Sequence, residues 1–138
     1  PEVEEDENEA IEVVTPATYY LKNGKHYIVY EEVVEGTSGV IKNRIKINGD
    51  ECVEIVKSGL SNSHMIFEKN KKNQTFYKTP YGQMLIGVNT RHLQVDFEED
   101  KIAVQIDYEL DVNHEPMADC KIRMNIVSKD SGKFSVLS

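Results

Sequence analysis

The chain has 138 residues, 39% of them hydrophobic and 29% charged, and a net charge of −8. That length suits one domain with a core of its own, and no apolar run approaches the roughly 18 residues that span a bilayer. Seven of the 24 acids (Glu2, Glu4, Glu5, Asp6, Glu7, Glu9 and Glu12) crowd the first twelve residues, leaving 17 acids against 16 bases, and so nearly neutral a body argues against a nucleic-acid partner.

Residues 1–9 therefore read as an acidic, flexible, solvated segment ahead of a folded domain over 10–138. They lack the carboxylate, Asn and Gly spacing of a calcium loop. The chain opens on Pro rather than Met, and no signal peptide is visible, which points to residues upstream.

Ile11 to Leu21 alternates loosely and is interrupted by Pro16, which cannot donate to a ladder, so an edge or broken strand is expected. Asn23-Gly24 is a tight-turn signal. His26 to Val34 follows as a strand, with Ile28, Tyr30 and Glu32 on one face. Val40 to Ile47 alternates cleanly, and Asn43 falls on its apolar side with Ile41, Ile45 and Ile47. After the Asn48-Gly49-Asp50 turn, Cys52 to Lys57 and Ser63 to Lys69 make two more strands. Gln74 to Thr79 runs into Pro80-Tyr81-Gly82, which imposes a bend or bulge. Gln83 to Thr90 and His92 to Glu98 read as separate strands. Ile102 to Val112 is the strongest pattern in the chain, with Ile102, Val104, Ile106, Tyr108, Leu110 and Val112 on one face. Ala118 to Ile126 alternates as the last strand.

This is an all-β reading: about eight strands joined by short turns, with no long crossover and hence antiparallel pairing. A single up-and-down β-barrel is the expected architecture, because closure removes the sheet edges. Such a barrel fills its interior with side chains or holds one small ligand.

Chemistry is sought among polar groups on the inward register, where burial is costly unless they are satisfied. Glu32, Asn43, Lys57 and Tyr108 qualify. Glu32 and Lys57 either reach water at a barrel rim or form an interior pair facing a cavity. Tyr77-Lys78-Thr79-Pro80-Tyr81-Gly82 is either a shaped corner with capping tyrosines or, through Tyr77 and Tyr81, part of a ligand mouth. Serine elbows, phosphate loops and HExxH are absent, so no enzyme is expected. His26, His64, His92 and His114 lack metal-ligand spacing, and no metal or cofactor is expected; a haem-holding barrel would need one of them to face inward. Cys52 and Cys120 read as two half-buried free thiols, with a disulfide open if their strands are adjacent.

Tyr30-Glu31-Glu32, Gly59 after a basic residue, Met65-Ile66-Phe67-Glu68, Tyr77-x-Thr79-Pro80-Tyr81-Gly82 and Ile106-x-Tyr108-x-Leu110 together resemble the YwiB-like family of uncharacterised bacterial proteins, over about residues 18 to 128. The resemblance implies a calycin-like (lipocalin-type) barrel, a bacterial cytoplasmic location and no known activity. Two departures stand out. Lys57 occupies a place that is usually Arg, in an Arg-x-Gly pattern, and so lacks the bidentate fork. The family's first strand, which precedes the acidic linker, is missing, and Lys133 to Leu137 is a candidate to fill its place.

The functional expectation is a non-enzymatic barrel that binds a small, largely apolar ligand through Tyr30, Glu32, Asn43, Lys57, Tyr77 and Tyr108, as a monomer or homodimer with no membrane partner. The alternative is a protein-interaction or regulatory domain with a filled core, which uses its surface or its acidic N-terminal segment.

Overall fold

The computed structural model describes residues 13–60 and 62–129, which hold nine strands and no helix. The acidic segment over 1–9 and the stretch from Lys133 to Leu137 lie outside the described residues. The strands are β1 (Thr18–Lys22), β2 (Lys25–Val33), β3 (Val40–Asn48), β4 (Cys52–Gly59), β5 (Ser63–Glu68), β6 (Lys72–Thr79), β7 (Gly82–Phe97), β8 (Lys101–Val112) and β9 (Glu115–Val127). They form two antiparallel meanders, β1 to β5 and β6 to β9, each in chain order.

Two expectations about strands change. Residues 13–17 carry no strand, and β1 starts two residues past Pro16, where backbone donors become available again. Gln83–Thr90 and His92–Glu98 are one strand, β7, with a bulge between Thr90 and His92. The bulge swaps the parity of the inward face, from Ile86, Val88 and Thr90 before it to Leu93, Val95 and Phe97 after it. Read in the sequence, that swap looks like a strand end.

The tight turns follow from residues that tolerate positive φ. Asn23 and Gly24 (φ 53° and 75°) close the β1–β2 hairpin, and Asn70 (φ 59°) sits in the turn between β5 and β6. Around that second turn the two sheets are joined by backbone bonds, from Lys71 N–H to the Glu68 carbonyl (3.0 Å) and from Thr90 N–H to the Lys71 carbonyl (3.0 Å).

The apolar faces of the two sheets meet in one core. Ile47, Val53, Phe67, Ile102 and Ile106 are wholly buried in it, with Ile28, Ile45, Val88, Leu93, Val95 and Val104 around them. Two ring contacts tie the sheets: His26 to Phe97 at 4.8 Å between centroids, and Phe67 edge-on to Tyr108 at 4.8 Å. The single closed barrel expected from the pattern is not what the described residues form. They make two sheets, and no ladder joins β1 to β9. The seam between these two edges is where the interior opens.

Candidate functional site

Strand periodicity and hairpin register build a polar row across the first sheet. Tyr30 of β2 lies opposite Asn43 of β3, and Asn43 lies opposite Lys57 of β4. Glu32, two residues along β2, shares their face. Glu32 Oε1 accepts from Asn43 Nδ2 at 2.7 Å and from Lys57 Nζ at 3.1 Å. The Asn43 and Lys57 hydrogen bonds hold the Glu32 carboxyl below its ordinary pKa, against the opposing effect of burial, and the Lys57 charge adds to them. Tyr30 titrates above its ordinary value, first through burial and then through the Glu32 charge. Asn43 is 1% exposed and its Oδ1 has no hydrogen-bond partner among the described residues. The side chains of Lys57 and Glu32 are 37% and 35% exposed, so the pair stands at the rim and each charge answers the other.

Gly59 explains the Lys-x-Gly spacing without a ligand. Its φ is +112°, and a Cβ there would lie 2.5 Å from the Val40 carbonyl oxygen. Backbone geometry therefore demands the glycine.

Tyr108 sits apart from this row. It packs on Phe67, and its phenol is raised far above the ordinary value by burial, then by the neighbouring Cys120 thiol and, less, by Tyr77. Tyr77 thus lies near Tyr108, while Tyr81 is 99% exposed at the hairpin tip. The six candidate residues resolve into two groups: Tyr30, Glu32, Asn43 and Lys57 in one, Tyr77 and Tyr108 in the other.

A cavity of about 530 Å³ lies along the seam between the β1–β2 side and β9. Ile28 and Ile45 of the first sheet, Met124 and Ile126 of β9, and Tyr19 and Tyr30 all line it. The segment Val13 to Ala17 runs along it. Of the six candidates only Tyr30 lies on the described walls; Glu32, Asn43, Lys57, Tyr77 and Tyr108 do not. Inward register says that a side chain faces the interior, not which part of the interior is empty. Met124 and Ile126 carried the matching signal, an apolar face on the last strand, but nothing in the pattern marked that strand as a sheet edge.

Other interior polar groups are structural. The Tyr19 hydroxyl meets His26 Nδ1 at 2.6 Å, and burial lowers the His26 pKa. His26 does face inward, but it is 8% exposed, packed on Phe97 and off the described cavity wall. Lys72 pairs with the buried Asp111 at 2.5 Å. Gly87 leaves room for that pair: a Cβ there would lie 3.1 Å from Lys72 Cε and 3.3 Å from Asp111 Cβ. Cys52 and Cys120 are free, half-buried thiols in different sheets. Among the described residues no group of His, Cys, Asp or Glu could hold a metal ion, and no helix is long and apolar enough to cross a membrane.

Comparison with known proteins agrees with this architecture. The chain is 31% identical, over 114 residues, to the uncharacterized β-barrel protein YwiB of Bacillus subtilis (strain 168), covering 82% of this chain and 78% of that protein. The crystal structure of YwiB superposes with a TM-score of 0.68 at 24% identity, over 91% of this chain and 85% of the other, a likeness of fold. Residues 2–124 match the family described as a domain of unknown function (DUF1934), and the chain belongs to that family.

Proposed function

We propose that this protein is a non-enzymatic binding barrel that holds a small, largely apolar ligand in the cavity along the β1–β9 seam. The two meanders are read as one calycin-like, up-and-down barrel, continuous through the β5–β6 turn and parted at the seam. The observation that carries the proposal is the cavity itself. Its volume of about 530 Å³ falls within the roughly 300–1,000 Å³ of small-molecule sites. Its walls combine aliphatic side chains with polar ones in similar measure, the Tyr30 phenol among them. The non-enzymatic part rests on the Glu32–Lys57 pair: Asn43 and Lys57 keep Glu32 ionised, which leaves it a poor proton donor near neutral pH.

The second reading, an interaction domain, draws on the filled centre. Ile47, Val53, Phe67, Ile102 and Ile106 have no exposed surface, so the middle of the core is packed with side chains. Native mass spectrometry of protein purified from its own host, followed by extraction, separates the two. A stoichiometric small molecule, lost on Met124→Trp, supports the binding barrel. A clean apo mass, with no apolar fluorescent probe taken up at the seam, overturns it in favour of the interaction domain.

A further inference from the structure

We infer that the outer face of the first sheet binds single-stranded nucleic acid, with a base stacked on Tyr20 and the sugar–phosphate chain held by Lys22, Lys25 and Arg44. The site lies on the other side of the sheet from the core and is independent of the binding reading above.

Strand alternation segregates charge onto this face. The outward positions of β1, β2 and β3 hold five cations, Lys22, Lys25, Lys42, Arg44 and Lys46, and one carboxylate, Glu31. Past the first twelve residues the chain has 17 acids against 16 bases, a balance that by itself argues against nucleic acid. The sum conceals a basic surface on three adjacent strands, and it is the local surface that a polyanion meets. Lys22, Lys25, Lys42 and Arg44 make no ion pair among the described residues, and Lys46 is only loosely paired with Glu54, at 3.8 Å. Lys22 and Lys25 lie directly opposite each other in the β1–β2 register. Like charges so placed cost stability in a sheet unless an anion answers them.

Register sets an aromatic platform among these cations. Tyr20 lies opposite Tyr27, and Tyr27 lies opposite Lys46. Lys22 and Lys25 border the two tyrosines along the strands, and Lys46 and Arg44 border them from β3. The Tyr20 and Tyr27 rings stack at 4.9 Å between centroids and 6° from parallel. β1 ends the order of its sheet, so Tyr20 ends the stack, and it is 39% exposed. A base laid on that ring continues the stack, and any base will do, since each has a π-face.

The combination favours a single strand over other polyanions. Lys42, Arg44 and Lys46 recur at every second residue of β3, roughly 6.8 Å apart, a row that a stretched phosphate chain can follow. A duplex hides its base faces and an acidic peptide has none, so neither uses the tyrosine stack. A single strand uses both the cations and the ring.

The test titrates the whole chain into fluorescein-labelled oligouridylate and oligothymidylate of about twelve nucleotides, within the length that one single-strand-binding fold covers. A duplex of equal length and inorganic polyphosphate serve as competitors, and anisotropy is the readout. The single strands are expected to bind more tightly than either competitor, and affinity should fall about tenfold or more between roughly 50 and 200 mM salt. The better of the two strands distinguishes RNA from DNA. Tyr20→Ala should weaken binding about fivefold or more, and Tyr20→Phe should restore it, because stacking needs the ring and not the hydroxyl. Lys25→Gln with Arg44→Gln should weaken binding and flatten the salt dependence, whereas Lys121→Gln, on the other sheet, should change nothing. Thermal melts confirm that each variant is folded. Polyphosphate binding as tightly as the strands, with no effect of Tyr20→Ala, overturns the inference in favour of a general anion surface. Binding that appears only when the seven acids of residues 1–12 are replaced by Gln or Asn overturns it in favour of the chain's own acidic segment as occupant. Dimers seen by light scattering and lost in the Lys25→Gln, Arg44→Gln variant overturn it in favour of a second copy. Failure of both strands to bind at low salt overturns it outright, and each of these results leaves the binding barrel standing.

Discussion

Asn43 donates its side-chain amide to Glu32 across the β2–β3 pair at 2.7 Å, from a position only 1% exposed. The bond turns a rim carboxylate into part of the sheet's inner face. Lys57, at 3.1 Å from the same oxygen, completes the group from the next strand. Three neighbouring strands are thus tied by one acceptor atom.

Replacing Asn43 should therefore cost more than its size suggests. Asn43→Ala is expected to lower stability by about 1–3 kcal/mol, through a lost charged hydrogen bond and a small void. Urea denaturation measures this, and carbon-detected NMR titration should find the Glu32 carboxyl moved up towards its ordinary value.

Glu32 gives a pH prediction with a definite sign. Its folded pKa is depressed below the ordinary 4.5, so its contribution is fully present above that value and is lost as pH falls through the folded pKa. The stability gap between wild type and Glu32→Gln should be constant at neutral pH and shrink below about pH 4.5. A gap that persists unchanged to the acid limit would contradict the arrangement.

His26 behaves in the same sense for a different reason. Burial lowers its pKa from the ordinary 6.5, so the folded state favours the neutral ring, whose Nδ1 meets the Tyr19 hydroxyl. Stability from this group is present above 6.5 and declines as pH falls towards the folded value. Wild type should lose more stability than His26→Phe between about pH 7 and pH 5, as thermal melts across that range would show.

Gly59→Ala should destabilise strongly although the residue is exposed. The added Cβ would meet the Val40 carbonyl at 2.5 Å in a backbone with φ of +112°. A cost of about 1–3 kcal/mol is expected, larger than that of Gly36→Ser, where positive φ also strains the side chain but nothing lies within 4 Å.

Phe67 is the keystone between the sheets, with no exposed surface and Tyr108 edge-on against it. Phe67→Ala should cost about 3–5 kcal/mol. Because Tyr108 loses its packing partner, its phenol should also titrate nearer the ordinary range, visible in an ultraviolet pH titration.

The sequence by itself determined the strands and their faces. Alternation from Ile102 to Val112 and around Asn43 set which side chains face inward, because a period of two leaves one dry side. It also offered Glu32 and Lys57 as a pair, since short hairpins fix register within a meander, while the place of Asn43 between them came from the structure. What it could not determine was the relation between the sheets. The bulge at Arg91 looked like a chain break because it inverts parity, and only pairing with β8 shows a continuous strand. The pairing of Lys72 with the buried Asp111 was invisible because Asp111 falls on the polar register of its strand, and the room that Gly87 leaves for it appears only in the tertiary structure. The cavity likewise depends on β1 and β9 being unpaired edges. That is a long-range property of how two twisted sheets meet, and no local pattern encodes it. Tyr30 was found from register alone; that it shares a cavity with Met124 and Ile126 needed the tertiary structure.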